Sequence, residues 1–252
     1  QWNPARARVK SAFAVPQAGD EQWLIKFDGV SAGQGGHALD KAFAPGPFGR
    51  IEYAYAQMAR AAGIEMAECH LLHERDFAHF MTQRFDRDGS ERIHLHSLGG
   101  LLHADYNIRQ LVSYEDYFRT IRALGMGQPA IDQAFRRMVF NLAARNQDDH
   151  VKNIAFLMGP DGRWRLAPAF DVTWAYGSNW TLTHQMTVGG KDDDFTRDDL
   201  LAVARAFDVP HDGAEILGEV DAALTTWEPE AKATGLSAEQ IGAISSTFRR
   251  FV

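Results

Sequence analysis

Cysteine is almost missing from this 252-residue chain, with Cys69 standing alone. A single thiol excludes an internal disulfide framework and fits a reducing cytoplasm. It lies in the apolar run Met66-Ala-Glu-Cys-His-Leu-Leu72, a setting for a packed thiol rather than a nucleophile. Long hydrophobic runs are missing too. No stretch approaches the roughly 18 apolar residues that a membrane-spanning helix needs. The segment Gln1 to Lys10 also lacks the apolar centre of a signal peptide. Positive charge is not in excess: the formal net charge is −7, which argues against broad electrostatic affinity for nucleic acid. That balance does not bar a partner that itself binds DNA. The first residue is Gln rather than Met, which points to an upstream piece. With 45% hydrophobic and 23% charged residues, the composition is that of a globular chain, long enough for one large domain or two lobes sharing a cleft.

The first third predicts a small strand-rich unit with one helix. Gln22-Trp-Leu-Ile-Lys-Phe27 has a short apolar strand pattern that ends in the turn-like pair Asp28-Gly29. Ser31 to Gly49, rich in glycine, predicts a long loop. Arg50 to Ala62 predicts a helix with Ile51, Tyr55, Met58 and Ala62 on one apolar stripe. Met66 to His73 and Phe77 to Phe85 predict two paired strands around a charged turn. From about residue 88 the pattern turns helical, with helices expected over Ser113 to Leu124 and Ile131 to Ala144. Two short strands, Ile154 to Met158 and Trp164 to Ala167, are expected to bracket the turn Gly159-Pro-Asp-Gly162. Three further helices should close the chain, with Thr196 and Ser237 as N-caps.

Chemistry concentrates in Asn146 to Phe156. Two aspartates, a histidine, a lysine and an asparagine lie there between a long apolar helix and an apolar strand. Any one of them alone reads more simply as a turn or capping residue. Their order and spacing say more. Asp148 precedes Asn153 by five residues, the separation that kinase catalytic loops place between the acceptor-side Asp and the metal-binding Asn. Asp171, in Leu166-Ala-Pro-Ala-Phe-Asp171, follows a hairpin, where a second strand would deliver an acidic metal ligand into the same cleft. Phosphoryl transfer from ATP asks a protein for positioning and charge neutralisation more than covalent chemistry. Magnesium takes oxygen ligands and keeps several waters, so Asn153 and Asp171 suffice as its protein ligands. Asp148 then stays off the metal to orient the acceptor hydroxyl. His150 is expected to brace the loop or contact phosphate, because magnesium favours oxygen over imidazole. Lys152 has two readings, neutralising the transferring phosphate or lying on a solvated face.

A cation for the ATP phosphates is expected from the strand-rich unit. Lys26 is the single charge inside Trp23-Leu-Ile-Lys-Phe27, which is costly unless it is paired. Glu52, early in the next helix, is its natural partner. The strand end Thr82-Gln-Arg-Phe85 would pass beside adenine, giving Gln83, Arg84 and Phe85 as nucleotide contacts.

With these residues in hand, the chain resembles the HipA family of serine/threonine kinases, the toxins of bacterial two-gene toxin–antitoxin modules. The carriers are Leu24-Ile-Lys-Phe27, Arg50-Ile-Glu-Tyr53, Gln83-Arg-Phe-Asp-Arg87, Asn146-Gln-Asp-Asp-His-Val-Lys-Asn153 and Leu166-Ala-Pro-Ala-Phe-Asp171. The last two are highly specific as a pair, and the likeness covers nearly the whole chain. It implies an α/β (α+β), two-lobed, protein-kinase-like fold, which phosphatidylinositol-type lipid kinases share. The expected division is a lobe over residues 1–87 with a hinge at 82–87, then a helical lobe over 88–252 that carries the catalytic loop 146–153 and the metal segment 166–171. The resemblance further implies ATP as substrate, Mg2+ as cofactor, a serine or threonine of a protein as acceptor, and a cytoplasmic setting. Among characterised members the targets include aminoacyl-tRNA synthetases, and a helix-turn-helix antitoxin restrains the kinase; neither a membrane nor direct nucleic-acid binding is implied. Two departures stand out. Nothing like the family's glycine-rich phosphate loop, with its autophosphorylated serine, precedes Trp2, and the chain is too short for the extra N-terminal subdomain of the larger members.

Other clusters carry less. Gly33-Gln-Gly-Gly36 predicts a flexible loop rather than a phosphate cradle, because no helix opens on it. His94 and His96 alternate along a strand without a third ligand at matching spacing. Lys191 to Asp199 reads as an acidic helix N-terminus, not a calcium loop. Three rival functions stay beside the kinase reading: a nucleotide-binding pseudokinase, a metal-dependent phosphohydrolase using Asp148, Asp149, His150 and Asp171, and a small-molecule or lipid kinase.

Overall fold

β1 (Trp23–Lys26) forms where the sequence places four residues of strand character between Gln22 and the turn at Asp28-Gly29. The computed structural model describes residues 21–29, 46–177 and 179–252, with the backbone alone at position 179. The segment before residue 21 and the Gly33-Gln-Gly-Gly36 loop lie outside the described residues. β2 (Cys69–Glu74) and β3 (Phe77–Gln83) make an antiparallel hairpin, and the sheet order is β1-β3-β2, with Lys26 opposite Phe80. α1 (Phe48–Ala61) starts two residues earlier than the periodicity predicts and buries Ile51, Tyr55 and Met58 as expected. Gly49 permits its close approach to the sheet, because a Cβ there would sit 2.6 Å from the Ala78 carbonyl oxygen.

The expectation of helix from residue 88 is corrected over ten residues. Three short strands come first: β4 (Arg87–Asp88), β5 (Glu91–Arg92) and β6 (His94–Ser97). Helix begins at α2 (Leu98–Leu101), where the Ser97 hydroxyl accepts from the Gly100 amide. α3 (Tyr114–Ala123) and α4 (Gln128–Ala143) follow. β7 (Ala155–Met158) and β8 (Trp164–Leu166) bracket the expected turn and join β6 in an antiparallel sheet ordered β6-β7-β8. His94 and His96 share a face of β6 with ring centroids 6.1 Å apart. Among the described residues no group of three or more His, Cys, Asp or Glu side chains converges on one point.

Four α-helices close the chain rather than three: α5 (Arg197–Ala206), α6 (Ala214–Leu224), α7 (Trp227–Ala233) and α8 (Ala238–Ser245). Only Thr225 and Thr226 separate α6 from α7, and Pro229 sits in the first turn of α7, where a missing N–H costs nothing. The apolar period therefore runs across the break. Both expected N-caps form capping boxes, Thr196 with Asp199 and Ser237 with Gln240. Hydrogen bonds from the Lys191 ammonium and the Thr196 amide hold Asp199 down at about 2.

The main core joins α1 to the later helices. Tyr55 is fully buried, donates its hydroxyl to the Ala144 carbonyl at 2.6 Å, and meets Phe140, Trp227 and Phe248 edge-on. Burying one such ring is worth about 1.5–3 kcal/mol. The consequence for function is placement: α1 is fixed from behind by this core and carries Glu52 toward β1.

Candidate active site

Lys26 ends β1, and its ammonium lies 2.7 and 2.9 Å from the two Glu52 oxygens and 2.5 Å from Asp171 Oδ1. The Lys26–Glu52 pair foreseen in the sequence is therefore formed, with Asp171 as a third member from 145 residues away. Burial alone would lower the Lys26 ammonium, but Asp171 and Glu52 together hold it above the ordinary lysine value. Burial pushes Glu52 up to about 7 against the pull of Lys26, and the Asp171 charge adds to the rise. One ammonium thus faces two enclosed carboxylates. NMR titration of the nucleotide-free protein should give a Glu52 midpoint near 7. A midpoint in the usual glutamate range, near 4.3, would contradict the enclosure of Glu52 beside Lys26 and Asp171.

Asp171 itself sits in the left-handed region at φ 55°, where a non-glycine residue costs about 1–2 kcal/mol. The bridge between Met66 and Ala169, with the Ala169 amide donating to Glu65 at 2.7 Å, fixes the chain two residues earlier. Lys26 takes Oδ1, which leaves Oδ2 for a cation. Asn153 lines the same cavity. Its Nδ2 donates to the Asp148 carbonyl at 2.9 Å, so its amide oxygen is the ligand-capable end. The two oxygen donors match what magnesium takes from a protein when phosphates and water complete its shell.

Asp148 and Asp149, adjacent in sequence, have different fates. The half-buried Asp148 receives a hydrogen bond on Oδ1 from the Trp180 indole at 3.0 Å, and His150 Nε2 lies 3.8 Å from the same oxygen. Asp149 is 3% exposed and accepts from the Tyr114 hydroxyl, from His184 Nδ1 and from the Gln185 amide, each at 2.8 Å. Tyr114 in turn accepts from Asn141 at 3.0 Å. Burial, reinforced by the Asp149 charge, holds the Tyr114 hydroxyl well above its ordinary value. Asp149 is the internal brace of the loop. Removing it strands three buried donors, so Asp149→Ala should cost about 3 kcal/mol or more in urea denaturation. A loss below about 1 kcal/mol would contradict the network.

His150 is 7% exposed and accepts from the Lys152 amide at 3.3 Å, in keeping with a bracing role. The exposed Lys152 places its ammonium 3.1 Å from the centre of the Tyr106 ring. At the end of β3, the Gln83 and Arg84 amides donate to Glu68 and Gln22 carbonyls, and the Arg84 guanidinium is paired with Asp86. Those two amides are not open to a base. The Phe85 ring packs on Phe170, 5.6 Å between centroids. Trp180, Tyr114 and His184, which reach Asp148 or Asp149, and Tyr106, which lies under Lys152, are not legible in the sequence, because nothing local marks an aromatic residue that will meet a charged group tens of positions away.

The family model described as HipA-like C-terminal domain matches residues 5–227. The chain belongs to this family. A Haemophilus influenzae protein described as "Putative kinase" is 28% identical over 173 residues, covering 60% of this chain and 49% of that protein. Among solved structures, the chain is similar to the HipA toxin of Shewanella oneidensis MR-1, determined with HipB and operator DNA. The TM-score is 0.66 at 16% identity over 89% of this chain and 56% of that one. It is also similar to the Helicobacter pylori proinflammatory kinase CtkA, with a TM-score of 0.52 at 12% identity over 92% of this chain and 86% of that one. These likenesses give the HipA-like chain a kinase-like α/β fold. It spans about half the length of the curated relative and of the HipA chain it matches.

Proposed function

We propose that this HipA-like chain is the core of an ATP- and magnesium-dependent kinase that phosphorylates a serine or threonine of a protein. The observation that carries the reading is the three-way contact in which Lys26 meets both Glu52 and Asp171. It brings a candidate phosphate-binding cation, already paired with Glu52, beside a candidate metal ligand, the groups that a kinase must have in place together. On this reading residues 21–87 form one lobe and 88–252 the other, with the nucleotide between them near Phe85.

The division of labour follows from the contacts. Lys26 steadies the phosphates; Asp171 and the Asn153 amide oxygen would hold magnesium, which neutralises charge on the transferring group. The Trp180 indole fixes Asp148 Oδ1, leaving Oδ2 to accept the proton of the acceptor hydroxyl. As the acceptor's hydroxyl oxygen bonds to the γ-phosphorus, the bond from that phosphorus to the β-phosphate oxygen breaks and ADP leaves. The phosphohydrolase alternative needs Asp149 as a metal ligand, but both of its oxygens are committed to Tyr114, His184 and Gln185.

The solved HipA neighbour carries HipB, and by family we extend to this chain an antitoxin partner and a cytoplasmic setting. Incubation with γ-labelled ATP, magnesium and a bacterial lysate tests the activity. A labelled protein whose phosphate maps to serine or threonine supports the assignment, whereas labelled inorganic phosphate alone would overturn it.

A further inference from the structure

Arg145, immediately before the catalytic-loop segment, and Arg249, near the C-terminus, converge on one carboxylate oxygen. Arg249 Nη2 hydrogen-bonds Asp193 Oδ1, and Arg145 Nη1 lies 3.5 Å from the same atom, too far for a good hydrogen bond. Each guanidinium keeps a buried Nη1 that makes no hydrogen bond. Unsatisfied buried donors on cations are expensive and call for an acceptor. Two positive charges therefore share one negative charge, since the next carboxylate, Asp194, is fully exposed and 3.9 Å from Arg249. Burial and then the Arg249 charge lower the Arg145 guanidinium from its ordinary value, the sign expected where negative charge is short.

The cluster is held in place by backbone carbonyls and amides. Arg145 Nε donates to the Thr247 carbonyl at 3.0 Å, and the Arg249 amide donates to the Ala143 carbonyl at 2.9 Å. The Tyr176 ring covers the Arg145 guanidinium at 4.4 Å and is itself 36% exposed. The two arginine side chains are 12% and 18% exposed, and the Nη1 atoms that make no hydrogen bond face inward.

We propose that Arg145 and Arg249 form a binding site for a phosphate-class oxyanion, separate from the nucleotide site, with Asp193 as its built-in competitor. Guanidinium donors match the oxygens of a tetrahedral dianion, and the exposed Tyr176 ring lies over the Arg145 guanidinium. The proposal does not depend on the phosphoryl-transfer reading.

Its test is thermal-shift and calorimetric titration with inorganic phosphate, against sodium chloride at matched ionic strength. Wild type should bind phosphate, and Arg249→Gln should weaken that binding by roughly tenfold through loss of a charged donor. Asp193→Asn should tighten it by roughly threefold or more, because the competing charge is gone while the shape stays. A gain in affinity cannot come from damage to the fold, so Asp193→Asn decides the matter even if Arg249→Gln does not fold. Phosphate bound equally by all three proteins, or by none, overturns the site. O-phosphoserine as a second probe separates the sources: binding of inorganic phosphate alone assigns a free anion, and binding of both assigns a phosphate ester on a polypeptide.

Discussion

Replacing Asp148 by Asn should lower turnover by on the order of a hundredfold or more while leaving Mg-ATP affinity within a few-fold of wild type. The substitution keeps the size of the side chain and its hydrogen bond from Trp180, so the loop geometry persists. On the proposed mechanism, what disappears is the charge that takes the acceptor proton. Affinity should hold because the proposed phosphate and metal contacts run through Lys26, Glu52 and Asp171 rather than through Asp148. Steady-state kinetics and a separate nucleotide titration measure the two quantities. A parallel fall in Mg-ATP binding would place Asp148 on the metal instead.

Asp171→Ala should act on the other side of the reaction. It removes both a candidate metal ligand and one of the two carboxylates on Lys26. Mg-ATP should bind roughly tenfold or more weakly, and half-saturation should need correspondingly more magnesium. Asn153→Ala should change magnesium dependence in the same direction without touching Lys26. Titration of ATP across a magnesium series distinguishes the roles. If Asp171→Ala keeps wild-type magnesium dependence, Asp171 is a structural partner of Lys26 and nothing more. Glu52 gives an internal control, because without the Asp171 charge its midpoint should move down from about 7.

Much of this site can be read from local spacing. A lone lysine in an apolar strand must find a carboxylate, and Glu52 was the nearest one on a suitable helix. The five-residue separation of Asp148 and Asn153, and the hairpin leading to Asp171, likewise sit within short stretches of sequence. The capping boxes at Thr196 and Ser237 form as their local pattern requires.

What escaped the sequence is long-range or marginal. Asp148 and Asp149 are chemically identical neighbours, and only tertiary packing leaves one half-buried under Trp180 and makes the other a buried brace. The contact of Lys26 with Asp171 spans 145 residues, and that of Trp180 with Asp148 depends on a turn that no local pattern fixes. The strands between 87 and 97 are two to four residues long, too short for a period of two to stand out from mixed polarity. At the far end, the apolar period of α6 runs on past Thr225-Thr226 into α7, so two helices read as one.

The most direct test of the account is the fate of the γ-phosphoryl group. Wild-type protein and the Asp148→Asn variant are incubated with γ-labelled ATP and a lysate, with and without magnesium, and both phosphoprotein and free phosphate are quantified. The account predicts magnesium-dependent label on serine or threonine with wild type and a loss of at least about a hundredfold with Asp148→Asn. Equal labelling by the two proteins, or release of free phosphate with no labelled protein, would contradict it.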